Sequence, residues 1–150
     1  MRRSPIRMGR VAGFTLIELV LVVTIIAILA GAVTVEAGKR IKLARRARGL
    51  EDIRVLEMAF DSYAADNGNP PTSQQGLASL RQKPTSAPVP RNWNGPYIKK
   101  SVPKDPWGND YVYRYPGQEN PEGYDLICYG ADGQPGGEDD DADITNFEEQ

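Results

Sequence analysis

The sequence predicts an α+β fold: one long N-terminal α-helix packed on a small antiparallel β-sheet. Three observations carry this. The 22 residues Phe14 to Val35 hold a single charge, Glu18, and lead without a proline into a stretch whose apolar residues recur at helical spacing. Asn67-Gly68-Asn69-Pro70-Pro71 then ends the helical pattern. Near the far end of the chain two short alternating aromatic runs, "DYVYRY" and "YDLICY", read as strands.

A chain of 150 residues, 40% apolar and 25% charged, has room for one domain and an appendage. It contains no histidine, the commonest general base and transition-metal ligand. That argues against a serine hydrolase triad, a zinc peptidase or a phosphohistidine relay. Cys128 is the one cysteine, so no intrachain disulfide can form. The net charge of −2 hides a segregation: four arginines and no acid before Phe14, eight acids and no base from Asp132 onward.

A basic start followed by an apolar run reads as an export or membrane signal. One version removes it after Ala30-Gly31-Ala32 and leaves a soluble exported protein. The other retains it: 22 helical residues extend roughly 33 Å, enough to cross a core of about 30 Å. Basic residues lie on both sides of the run, so charge alone does not orient it. Neither version explains Glu18, because an acid inside a membrane helix is costly and usually functional.

Gly13-Phe14-Thr15-Leu16-Ile17-Glu18 resembles the type IV prepilin processing site, G-F-T-L-x-E. The resemblance implies that a membrane peptidase cuts between Gly13 and Phe14 and methylates the new amine. Residues 1–13 are then a discarded leader, 14–35 a retained transmembrane and assembly helix, and 36–150 a periplasmic globular domain. It also gives Glu18 a role. The amine on Phe14 and the carboxylate of Glu18 share an apolar layer, where opposite charges attract far more strongly than in water. A neighbouring subunit's amine can neutralise Glu18 and set the stagger between packed helices. The plainer alternative places Glu18 near the headgroups, where it needs no partner.

The helix continues to about Asp66, with Leu50, Ile53, Leu56, Phe60 and Tyr63 as its core stripe. Thr72 and Gln75 fit a capping box, and a short helix is expected to run to about Gln82, before Pro84. Trp93 and Trp107 lie among turn residues and read as aromatic plugs. Strands are expected over Asp110–Tyr115 and Tyr124–Tyr129, joined by a hairpin loop, with a short edge strand over Pro96–Lys99. Cys128 reads as a small apolar core residue. Residues 132–143 pack six carboxylates into twelve positions. Chemistry alone leaves two readings open there, a solvated acidic loop or a calcium site. An EF-hand is rejected, because Gln134 and Gly136 stand where that loop needs Asp or Asn. Ile144 to Phe147 can tuck back as a hydrophobic anchor.

"NGNPPTSQQGLASL", "RNWNGPYIKKSVPKDPWGNDYVYRYPG" and "YGADGQPGG…ADITN" are similar to the major pseudopilins of the type II secretion system, and the likeness runs from Gly13 to Asn146. It implies a calcium-binding C-terminal loop in place of a disulfide. Asp132 and Asp143, with the backbone carbonyls of Tyr129 and Gln134, match calcium ligands; Asp140 and Asp141 lie in an insertion-prone stretch beside them. Glu57, Asp61 and Lys99 match positions that pair subunits. Val35 departs from the pattern, since many relatives carry proline there.

The implied function is structural. The chain is no enzyme; it polymerises with itself into a pseudopilus that drives export of folded proteins. The implied partners are minor pseudopilins, the prepilin peptidase, an inner-membrane secretion platform and, before assembly, the membrane itself. The implied location is the bacterial inner membrane, single-pass, with the C-terminal domain in the periplasm. Three other readings are weighed: a type IV pilin or minor pseudopilin, a soluble secreted protein behind an ordinary signal peptide, and nucleic-acid binding through the basic cluster Lys39 to Arg48. The lack of a cysteine pair opposes a pilin, and the oily segment upstream of the cluster opposes nucleic acid.

Overall fold

A computed structural model describes residues 13–147, with the backbone alone at 32–36. The expected leader lies, through residue 12, outside the described residues. The elements run α1 (Leu16–Asn67), a 3₁₀ turn (Leu77–Leu80), β1 (Val112–Arg114), β2 (Asp125–Cys128) and β3 (Ile144–Thr145). The chain divides into two compact units between Arg40 and Ile41.

In the first unit, α1 opens on a cap. The Glu18 backbone N–H donates to Thr15 Oγ1 at 3.3 Å, and Leu19 N–H donates to the Thr15 carbonyl at 3.2 Å. Thr15 is therefore the N-cap and Glu18 the third helical residue, where an acid also meets the positive end of the helix dipole. From Leu16 to Gly31 every side chain is exposed, Leu16 at 82% and Ile28 at 67%. Among the described residues no helix is long and apolar enough to cross a membrane.

The second unit holds the core. The inner stripe of α1, Ile53, Leu56, Phe60 and Tyr63, is buried, and Leu50 packs against the edge of the core. It faces a three-stranded antiparallel sheet of order β1-β2-β3, in register Val112↔Ile127 and Arg114↔Asp125 on one side and Cys128↔Ile144 on the other. All four residues of central β2 are buried. Phe60 stacks on Tyr113 at 4.3 Å between centroids and tilts against Tyr124 at 5.1 Å. The tyrosine hydroxyls carry the polar side of this packing: Tyr111 donates to Asp52 Oδ2 at 3.1 Å and Tyr113 to the Pro71 carbonyl at 2.7 Å. Buried phenols need such partners.

Several expectations shift. The capping box forms: Thr72 N–H donates to Gln75 Oε1 at 3.1 Å, and Gln75 N–H to Thr72 Oγ1 at 3.3 Å. The helix behind it does not run to Gln82. Gly76 takes φ +53°, breaks the turn, and leaves four 3₁₀ residues. Pro96–Lys99 is no strand; Tyr97 and Ile98 N–H both donate to the Leu80 carbonyl, pinning a loop. Trp93 does plug a loop, its indole N–H donating to the Ser79 carbonyl at 2.9 Å. The expected anchor at Ile144 is a third strand.

Candidate functional site

Three groups of residues were singled out by the sequence. The first surrounds the expected processing point. Gly13 and Phe14 precede α1, and both are exposed among the described residues, Phe14 at 84%. Glu18 lies one turn into the helix, also exposed.

The second group is Glu57, Asp61 and Lys99. Glu57 and Asp61 lie one turn apart on α1. The Tyr124 hydroxyl reaches both positions, at 3.3 Å from Asp61 Oδ1 and 3.4 Å from the Glu57 carbonyl. Burial holds the Glu57 carboxyl above the usual glutamate range, and the like charge of Asp61 adds to this; Asn146 and Arg54 partly oppose it. Lys99 is exposed on a loop, and among the described residues it joins no ion pair within the chain. The fold therefore gathers the two acids around Tyr124 and leaves the lysine apart.

The third group is the loop between β2 and β3. Its start is anchored from the sheet side. Buried Asp105 accepts the N–H groups of Trp107 at 2.9 Å and Asn109 at 2.7 Å on one oxygen, and the Cys128 thiol at 3.3 Å on the other. Asn109 Nδ2 in turn donates to the Gly130 carbonyl at 3.0 Å. Gly130 has φ +68°, and a Cβ there would fall 2.6 Å from the Asp141 carbonyl oxygen, so the two ends of the loop touch backbone to backbone. Ala131 N–H donates to the Asp140 carbonyl at 3.0 Å across the same contact.

Within the loop, Asp132 accepts Gln134 N–H at 3.0 Å and Asp143 Oδ2 accepts Gly136 N–H at 2.9 Å. Asp141 N–H donates to the Glu138 carbonyl at 3.0 Å. Tyr129 follows β2 directly, its hydroxyl accepting from Arg114 at 3.3 Å. Asp140 Oδ1 and Asp143 Oδ1 are both buried and find no hydrogen-bond partner among the described residues. An orphaned buried carboxylate oxygen is costly. Among the described residues no group of three or more His, Cys, Asp or Glu side chains is placed to hold a metal ion. Any cation held here draws on backbone carbonyls as well.

The sequence reading missed the residues that fasten this loop. Asn146 Nδ2 donates to the Tyr124 carbonyl at 3.1 Å, and its Oδ1 accepts Leu126 N–H at 2.7 Å, so one amide stitches β3 to β2. Nothing in "ITNF" announces that. Asp105 was legible in principle, because D-P-W-G-N is an Asx-turn pattern. On α1, Lys42 Nζ lies 3.9 Å from Asp140 Oδ2 and Arg46 donates to the Ala142 carbonyl at 3.3 Å.

The family model described as type II secretion system (T2SS), protein G matches residues 37–147, and that of the prokaryotic N-terminal methylation motif matches 8–34. The chain is 45% identical over 137 residues to the type II secretion system core protein G of Pseudomonas aeruginosa, covering 91% of this chain and 95% of the relative. It is 46% identical over 142 residues to that of Vibrio cholerae, covering 94% of each. Among solved structures, it is similar to the major pseudopilin from the type 2 secretion system of enterohaemorrhagic Escherichia coli. That match has a TM-score of 0.60 and 41% identity, covering 74% of this chain and 92% of the other.

Proposed function

The chain belongs to the type II secretion system protein G family, and from that premise we infer how its parts serve the work of a major pseudopilin. It is a structural subunit that polymerises into the periplasmic pseudopilus through which type II secretion exports folded proteins. The observation that carries this is the pair of family matches laid along one chain: a methylation motif over 8–34 and protein G over 37–147.

The finer points are our proposal. Cleavage falls between Gly13 and Phe14, and the exposure of Phe14 supports access to that bond. The segment 14–35 spans the inner membrane before assembly, supported by its single charge in 22 residues. It then packs beside its copies, where Glu18 takes the amine of a neighbouring Phe14 as counter-charge. The subunit catalyses nothing, and motion comes from an ATPase and a membrane platform that the family resemblance implies. Minor pseudopilins and the prepilin peptidase are its further partners. Glu57 and Asp61 meet a basic group on a neighbouring subunit, for which Lys99 is the candidate. The raised proton affinity of Glu57 supports this, since a cation beside it would relieve the like-charge pair.

Calcium enters through the resemblance to the family, and two oxygens of the loop support it. Asp140 Oδ1 and Asp143 Oδ1 are buried, unpartnered carboxylate oxygens, the hard donors such an ion takes. The resemblance implies Asp132 and Asp143, with the carbonyls of Tyr129 and Gln134, as the residues that would hold it, with Asp140 and Asp141 beside them; the described side chains do not gather three of these acids around one point. Bound there, such an ion would supply positive charge to these two carboxylate oxygens. The loop residues do the rest: Gly130 and Asp141 close the ring, and Asn109 fastens it to the sheet side.

Mass analysis of the mature amino terminus, together with images of the native assembly, tests the reading. A methylated Phe14 and thin filaments are expected. A chain that starts at Val33 and circulates as a monomer overturns it.

A further inference from the structure

We propose that the loops over residues 77–100 present a cationic docking surface, built on Arg81, Lys83, Arg91 and Lys100, and that its partner is a second copy of this chain, which offers Glu138 and Asp139 of its β2–β3 loop. The inference deepens the reading of the chain as a subunit that polymerises, and rests on it.

Charge divides sharply within the second unit. From Asn67 to Lys104 there are six basic residues and no acid; from Asp105 to Asn146 there are eleven acids and one base, Arg114. Lys104 pairs with Asp110 at 2.6 Å. Arg81, Lys83, Arg91 and Lys100 are exposed, and among the described residues they join no ion pair. Hydrogen bonds hold their loops together. The Leu80 carbonyl accepts Tyr97 N–H at 2.8 Å, so Arg81 lies beside the segment that carries Lys100. The Ser79 carbonyl accepts the Trp93 indole at 2.9 Å, which draws in the stretch after Arg91. Gln75 Nε2 donates to the Ser86 and Pro88 carbonyls, both at 3.0 Å, and so fastens the chain between Lys83 and Arg91. Loops already tied in this way lose little freedom when a partner docks.

The acidic loop of the same chain is out of reach. The basic loops gather at the end of α1, where the Tyr97 hydroxyl donates to Asp66 Oδ2 at 2.8 Å. The acidic loop lies beside earlier turns, where Arg46 donates to the Ala142 carbonyl at 3.3 Å. From Arg46 to Asp66 the helix rises roughly 30 Å, several times the Debye length of about 8 Å at physiological salt. Glu138 and Asp139 are exposed in that loop, and among the described residues they too join no ion pair. Neither is among the residues set out for calcium. Each copy therefore carries an unpaired cationic surface and an unpaired anionic one, set apart along one helix. A contact between the basic surface of one copy and the acidic loop of the next is heterologous. It leaves each copy with its other surface free, so the contact repeats along a filament. Lys99 keeps the role proposed above, opposite Glu57 and Asp61.

The test measures the yield of filaments from cells producing the full chain, with the melting temperature of each detergent-solubilised variant as the check on folding. Arg81→Glu with Lys100→Glu is expected to lower the yield about ten-fold, because like charges then face each other. Glu138→Lys with Asp139→Asn should lower it by a similar factor; asparagine is chosen because it tolerates the positive φ of Asp139. A chain carrying all four changes should recover about half of the wild-type yield or more, since opposite charges meet again. Should a reversal misfold, Arg81→Gln with Lys100→Gln is the milder variant, expected to lower the yield about three-fold. Glu119→Lys with Glu122→Gln, in the β1–β2 loop, returns the same net charge from another place and should not rescue the basic-loop reversal. Rescue by that pair overturns the proposal, because net charge alone would then be at work. So do wild-type yields from the basic-loop variants, or a loss that the combined chain leaves unrepaired. Intact filaments together with lost binding to anionic-lipid vesicles would assign the surface to the membrane, and overturn it as well. A wild-type chain that forms no filaments overturns the polymerisation reading, and this proposal with it.

Discussion

Cys128 lies on the central strand with no exposed surface, and its thiol donates to Asp105 Oδ2 at 3.3 Å. Burial first, and the neighbouring carboxylates after it, push the thiol up to about 12. The thiolate is the reactive form, so iodoacetamide at pH 8 should modify the native chain only as fast as it opens; rapid alkylation of folded protein would contradict this placement. Glu57 gives a second measurable effect. Its folded proton affinity exceeds that of the unfolded chain, so between the two pKa values the folded state binds more protons. Stability contributed by Glu57 is full below about 4.5, its ordinary value, and is lost as pH rises through the higher folded value. Glu57→Gln should remove that downward slope in a plot of melting temperature against pH, measured on unassembled chains. A slope identical to wild type would mean the carboxyl titrates normally.

At the scale of elements, α1 and the sheet are joined through Phe60 and its two tyrosine neighbours. Phe60→Ala should cost about 3–5 kcal/mol in chemical denaturation, as expected for a fully buried ring. The loop depends on a different contact. Gly130→Ala adds a methyl where the Asp141 carbonyl already sits, at a positive φ, and should cost about 1–3 kcal/mol while abolishing any calcium effect on melting. How far these elements were legible follows from their chemistry. The end of α1 was readable to a residue, because Asn67 to Pro71 combines a helix stop with two prolines. β1 and β2 were readable from their alternation, though each proved shorter than its aromatic run. β3 was not, since two residues carry no period and its pairing is secured by Asn146, a contact distant in sequence. The short helix failed because Gly76 adopted a conformation open chiefly to glycine. In the loop, composition displayed the acids but not which two oxygens end up buried and alone; that depends on how the backbone closes at Gly130.

For the molecule as a whole, charge is sorted along the chain: basic before Phe14, a lone acid in the apolar run, basic residues from Lys39 to Arg48, acids at the end. Glu18 carries the largest consequence of that order. Within one chain it is the third residue of a capped helix, a role worth about 0.3–1 kcal/mol. Glu18→Ala should therefore still fold and be processed, yet co-assemble poorly with wild-type subunits in filament preparations. Normal incorporation would leave Glu18 with its place at the positive end of the helix dipole alone. β3 has an effect of another kind. It is two residues long, it covers one side of β2, and it is reached only through the closed loop. When that closure fails, a bare strand margin faces solvent, and strand margins recruit one another indiscriminately. The closure at Gly130 thereby keeps that margin of β2 covered.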